Sequence, residues 1–189
     1  MFKKDEITDY NEHSSEIERW VELKGEQKYL EFIKLLKGNR INVEWDVLKD
    51  TYRYDKRLLI TIFKYLSFYE EFLRAQLWNS DRTKSYKSLE KLYLTDIADK
   101  ITTQGISLNK FKIEDRCFNE NIGYVNFLRN RVSHNKIILT SNSKGKNLVD
   151  ILHIFYNCLP SDYRMGLKHD INACVDKLNL PKEIQVFVN

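Results

Sequence analysis

The chain has 189 residues, 42% of them hydrophobic, 13% aromatic and 31% charged, with a formal net charge of +4. That is one domain of ordinary size with enough apolar side chain for a core. Only 2 Pro and 6 Gly exclude collagen-like, Pro-rich and Gly/Ser-linker architectures, disfavour a turn-dense β-sandwich and favour helices.

The first predicted element is an N-terminal helix or helix pair. Ser15-x-x-Glu18 reads as a capping box, and Ile17, Trp20, Val21, Leu30, Ile33 and Leu36 follow at helical spacing, with a break at Gly25 and an end at Gly38-Asn39. Ile41 to Trp45 alternates, which fits a short strand and equally a loop leading into an Asp46 N-cap. The strongest segment runs from Asp55 to Trp78. Leu59, Ile62, Phe63, Leu66, Leu73 and Leu77 form one stripe there, and Ile60, Phe68, Phe72 and Ala75 widen it, so the helix is expected to be largely buried. Glu70 falls on that stripe, a costly place for a carboxylate unless water edges it or it faces a polar site.

A third helix is predicted from Ser85 to Ile101, ending near Gly105 and preceded and opened by the basic residues Arg82, Lys84, Lys87 and Lys91. Residues 106–119 read as a loop with a short turn of helix. Tyr124, Val125, Leu128 and Val132 then carry a helical stripe from Asn121 to about Ile138. Residues 141–147 are the clearest loop. Leu148, Leu152, Phe155 and Leu159 mark a helix stopped by Pro160, and Leu167, Ile171, Cys174, Val175 and Leu178 a last one stopped before Pro181. The expected architecture is an all-α antiparallel helical bundle with additional N- and C-terminal helices. Residues 1–45 are read as a helical extension, 46–180 as the bundle and 181–189 as a tail.

Familiar sites are missing from the sequence. It holds no GxGxxG, P-loop or GxSxG, and its four histidines stand apart with no HExxH. Cys117, Cys158 and Cys174 are odd in number and form no CxxC pair, so neither a disulfide framework nor a thiolate zinc site is encoded; they read as buried free thiols. Neither cofactor nor metal is expected. No apolar run reaches the roughly 18 residues of a membrane span, and the acidic start contains no secretory h-region; a cytoplasmic location with no membrane partner is the expectation.

Charge is distributed unevenly. Residues 1–24 hold seven acids against four Lys/Arg, whereas Asn121 to Val149 contain no acid at all but carry Arg129, Arg131, Lys136, Lys144 and Lys146. A patch of this kind attracts polyanions. In its middle lies Leu128-Arg129-Asn130-Arg131-Val132-Ser133-His134-Asn135-Lys136. On a helix Asn130 and His134 share a face and Arg129 lies at its edge, so an imidazole that titrates near neutrality and a phosphate-gripping guanidinium can meet one anion. Those two groups suffice to cleave RNA without a metal: the histidine handles the proton and the arginine the charge growing on the phosphoryl oxygens.

Arg129-Asn130-x-x-x-His134 resembles the Arg-x4-6-His motif of the HEPN superfamily, in which a polar residue, often Asn, follows the Arg. A long amphipathic helix ahead of the motif and the ending Leu159-Pro160-Ser161-Asp162-Tyr163-Arg164 look like its Abi-like branch, associated with abortive phage infection. The likeness covers about residues 50 to 180 in layout and about ten residues in detail. It implies a homodimer with facing motifs and a metal-independent endoribonuclease of toxin or antiphage type, with an antitoxin protein as a further partner. By that resemblance Arg129, Asn130 and His134 are catalytic, and Glu70 or Glu71 orients Arg129 or tunes His134. Ser133 is a supporting hydrogen-bond partner, Lys136, Lys144 and Lys146 contact RNA, and Arg131 is an RNA-backbone contact or a dimer salt bridge. The alternative is a non-catalytic module of the same fold that binds RNA or a partner protein. A second Arg-x4-His, Arg164 to His169, has Met165 where the motif wants a polar residue, and Lys136 stands where a Tyr follows the His in family members controlled by adenylylation.

Overall fold

The computed structural model describes residues 4–83 and 85–188; Met1 to Lys3, Asn189 and Lys84, one of the basic residues named above, lie outside it. The chain is mostly helical, with eight α-helices and one two-stranded hairpin among the described residues. It is a helical bundle, as composition and periodicity predict. No helix among the described residues is long and apolar enough to cross a membrane.

The helices are α1 (Tyr10–Lys24), α2 (Glu26–Gly38), α3 (Trp45–Ser80), α4 (Tyr86–Leu89), α5 (Leu94–Thr103), α6 (Asp115–Ser133), α7 (Leu148–Cys158) and α8 (Ser161–Asn172). The chain divides into two compact units, residues 1–58 with 173–186 and residues 59–172 with 187–189. The stretches read as an extension and a tail thus belong largely to one unit, which also takes the first turns of α3.

In the first unit α1 and α2 meet at Gly25, whose φ of 87° suits glycine. Ser15 and Glu18 lie inside α1 and not at its start, and Glu18 accepts a hydrogen bond from the Tyr10 hydroxyl at 3.0 Å. The proposed capping box therefore forms no cap. Residues 41–44 make no strand, and Asp46 is not the N-cap of α3 but sits in its first turn. It is Asp9 that accepts from the Trp45 amide, at 2.9 Å, a cap supplied from 36 residues away that no local pattern reveals. Ile17, Tyr29, Phe32, Trp45, Leu48 and Leu58 form the core. Tyr54 ties in the C-terminal segment: its hydroxyl donates to the Val186 carbonyl at 3.2 Å and accepts from the Val186 amide at 2.8 Å.

The second unit is built around α6, which packs against α5 and α7, with α8 against α7. Ile62, Leu66, Tyr69 and Leu73 of α3, Ile97 and Ile101 of α5, Val125 and Leu128 of α6 and Ile151 and Phe155 of α7 are buried. The expected burial of α3 does not hold throughout: on the main stripe Phe63 is 55% exposed, and of the residues that widen it Ile60 is 66% exposed. The predicted third helix is two helices, because the chain turns at residues 90–93 and restarts with the Asp96 carboxylate accepting from the Tyr93 amide at 3.1 Å. The last predicted helix stops at Asn172, well before Pro181, and passes into a 3-10 turn at Ala173–Val175.

Helix α6 begins at Asp115 and ends at Ser133, so it starts and stops earlier than the stripe suggested. Its end is a Schellman motif: the Lys136 amide donates to the Arg131 carbonyl at 2.9 Å, the Asn135 amide to that of Val132 at 3.0 Å, and Asn135 takes φ 50°. Asn is among the few non-glycine residues that adopt this left-handed conformation readily. Within the predicted loop, Asn142–Ser143 pairs with Lys146–Asn147 through Lys144 (φ 50°) and Gly145 (φ 79°), a type I′ hairpin. Asn147 then starts α7 through reciprocal bonds with Asp150, at 3.0 and 3.1 Å.

Candidate active site at the end of helix α6

Arg129 lies in the last turns of α6, half-buried, and its Nε donates to Glu70 Oε1 of α3 at 3.3 Å. The other carboxylate oxygen, Oε2, accepts from Arg74 Nη2 at 3.0 Å. Glu70, only 16% exposed, thus escapes the penalty expected of a carboxylate on an apolar stripe by bridging two guanidinium groups. Of the two acids the sequence offered, Glu70 reaches Arg129, while Glu71 is exposed. Arg74 was missed, although its i,i+4 spacing from Glu70 is readable on a helix.

The bond through Nε fixes the guanidinium plane and leaves both Nη groups of Arg129 without a protein partner among the described residues. With two arginines and one carboxylate, the cluster keeps a net positive charge. Phe63, Leu66, Ser67, Glu70, Arg129 and Ser133 line a cleft of about 180 Å³. This is smaller than the roughly 300–1,000 Å³ typical of a small-molecule pocket. Arg129, Glu70 and Ser133 are therefore brought together.

His134 and Asn130 do not line that cleft. His134 is the C-cap of α6 and its amide still bonds the Asn130 carbonyl at 3.1 Å, so the two remain one turn apart, as the spacing required. Both are exposed, and the imidazole makes no hydrogen bond among the described residues. No family model, curated protein or solved structure matches this chain.

The residues assigned to RNA contact differ in what they do. Lys136 is exposed just beyond the helix, and Lys144 is exposed at the hairpin turn. Lys146 is half-buried, its ammonium 5.7 Å from the Tyr124 ring. Arg131 is instead a clamp on its own polypeptide, donating through Nη2 to the Ile137 carbonyl and, at 3.1 Å, to Thr140 Oγ1. It braces the turn that follows His134. The second Arg-x4-His does not assemble either: Arg164 bonds the carbonyls of Leu159, Lys112 and Asn157, whereas His169 Nδ1 lies 3.2 Å from Asp170.

Proposed function

We propose that this chain is a metal-independent endoribonuclease of the Abi-like HEPN type, acting as a toxin in the cytoplasm in abortive-infection defence. What supports the reading most is Arg129, oriented by Glu70 through one edge and open at the other, five residues before an exposed histidine. The carbonyl end of a helix is the wrong pole for a phosphate, so binding there relies on the cations Arg129 and Lys136. In the reaction the 2′-oxygen bonds to phosphorus as the bond from phosphorus to O5′ breaks. One imidazole takes the 2′-hydroxyl proton and another returns a proton to O5′. Arg129 stabilises the charge on the non-bridging oxygens, and Asn130 and Ser133 add hydrogen bonds to the substrate or to the site.

Two imidazoles come naturally from two copies of the chain. Phe63 is exposed on the wall of the cleft and Ile60 stands one turn before it on α3, which favours a homodimer that closes the groove and carries RNA between paired sites; an antitoxin protein would cover the same face. The position of His134 outside the cleft favours one second reading, a module that binds RNA without cutting it. The deciding experiment incubates purified protein with total RNA in EDTA, wild type beside His134→Ala. Cleavage by the wild type alone supports the nuclease. Cleavage by both removes it, and salt-sensitive binding by both without cleavage selects the second reading.

A further inference from the structure

A second cleft, of about 220 Å³, is lined by Leu77, Ser88, Leu89, Leu92, Lys100 and Gln104, none of them in the candidate active site. Its floor is apolar: Leu77 and Leu89 are each 4% exposed. Its rim is polar and cationic. Lys100 is exposed and unpaired with any carboxylate among the described residues; Lys87 and Lys91, next in sequence to the lining residues Ser88 and Leu92, are exposed and likewise unpaired. Gln104 accepts from Ser80 Oγ at 3.5 Å through Oε1, and its NH2 has no protein partner among the described residues. An apolar floor with an amide and an ammonium at the edge, beside a Ser88 hydroxyl that donates to the Ser85 carbonyl at 2.6 Å and can still accept, suits a heterocycle bearing an anion.

The wall of this cleft is bonded to the candidate active site by one side chain. Arg74 Nε donates to the Leu89 carbonyl and Nη2 to the Leu92 carbonyl, both at 3.2 Å, while Nη2 also holds Glu70 at 3.0 Å. Glu70 in turn holds Arg129. Anything that shifts Leu89 and Leu92 is thereby felt at the guanidinium proposed to meet the phosphate.

We propose that this cleft, itself below the volume of a closed small-molecule pocket, takes only the base of a nucleotide, on Leu77, Leu89 and Leu92, with the sugar outside it and the phosphate on Lys100 at the rim, and that occupancy is transmitted to Arg129 through Arg74 and Glu70. The ligand class rests on the ribonuclease reading; the cleft and its connection do not. The nucleotide is either free or one residue of a single-stranded RNA, read at a distance from the cut.

Titration calorimetry with the four ribonucleoside 5′-monophosphates and with single-stranded RNA hexamers separates these sources. The surface variants Lys100→Glu and Ser88→Trp, checked for unchanged melting, are expected to bind at least about tenfold more weakly than wild type. Affinity for the monophosphates assigns a free-nucleotide site, and affinity for hexamers alone a strand subsite. No binding of either ligand, or binding that both variants retain, overturns the proposal. Hydrogen exchange tests the connection: ligand should protect the end of α6, and Arg74→Lys, which keeps the charge but not three bonds, should bind yet lose that protection. Protection that persists in Arg74→Lys, or is absent from wild type, overturns the transmission. A wild type inert towards total RNA but sensitive to Lys100→Glu in binding sinks the nuclease reading alone; active cleavage with no such sensitivity sinks this one alone.

Discussion

Glu70 Oε1 and Arg129 Nε stand 3.3 Å apart although 59 residues separate them in the chain. Glu70→Gln keeps the shape and removes the charge that two arginines share. Stability should fall by about 1–3 kcal/mol, measured by urea denaturation. Cleavage of RNA should fall further than that of Glu71→Gln, whose parent residue is exposed. Equal activities for the two variants would remove Glu70 from the site.

Arg131 and Lys136 make opposite predictions. Arg131→Ala opens the turn after His134 and should cost about 1–3 kcal/mol in unfolding free energy, with the salt dependence of RNA binding unchanged. Lys136→Ala should leave the melting temperature unchanged and reduce the slope of log K against log salt by about one. A reduced slope in Arg131→Ala would restore that residue to the RNA interface.

The exposed pair Ile60 and Phe63 should lie in the homodimer contact. Phe63→Asp should convert a dimer into a monomer in sedimentation equilibrium and abolish cleavage, with helicity retained in circular dichroism. A wild type that sediments as a monomer at every concentration removes the paired-site mechanism.

The pH limits of stability follow from two buried or bonded groups. The Lys64 ammonium, together with His169 and the Tyr65 hydroxyl, holds the Asp170 carboxyl below its usual range. A folded-state pKa below the unfolded one stabilises above about pH 4 and is lost as pH falls through the folded value. Asp170→Asn should flatten the acid limb of a melting-temperature profile. Burial pushes the Cys158 thiol up to about 12, which has the reverse sign: its contribution is whole below the unfolded value near about 8.5 and disappears as pH rises towards the folded one. Native Cys158 should resist iodoacetamide at pH 8 until the chain unfolds, read by mass spectrometry.

Gly166 passes so close to Tyr65 that an added Cβ would lie 2.7 Å from the hydroxyl. That hydroxyl donates to Asp170 Oδ2 at 2.9 Å. Gly166→Ala must therefore displace the ring and break the bond, at about 1–3 kcal/mol, and should lose the smaller Tyr65 part of what lowers the Asp170 carboxyl while the larger Lys64 part is kept. An alanine variant with wild-type melting at pH 3 would show that the ring moves freely.

The sequence by itself determined the class of fold and the existence of most helices, because few breakers and a 3.6-residue apolar period are local properties that any packing must respect. It also determined the break at Gly25, the stop at Pro160 and the acid-free cationic stretch around Arg129. Where helices begin and end was decided elsewhere. Trp45 is capped by Asp9 from 36 residues away, and α6 stops at Ser133 because Asn135 turns left-handed although Ile137 and Ile138 continue the apolar pattern. Tertiary structure alone chose Glu70 over Glu71, since both lie on one helix and only packing brings Oε1 of the first to Arg129. It also exposed Ile60 and Phe63, turned Arg131 onto its own backbone, and joined Leu89 and Leu92 to Glu70 through Arg74. The physical reason is common to all of these: periodicity reports which side of a helix is apolar, whereas a charged side chain takes the partner that the rest of the fold carries within reach.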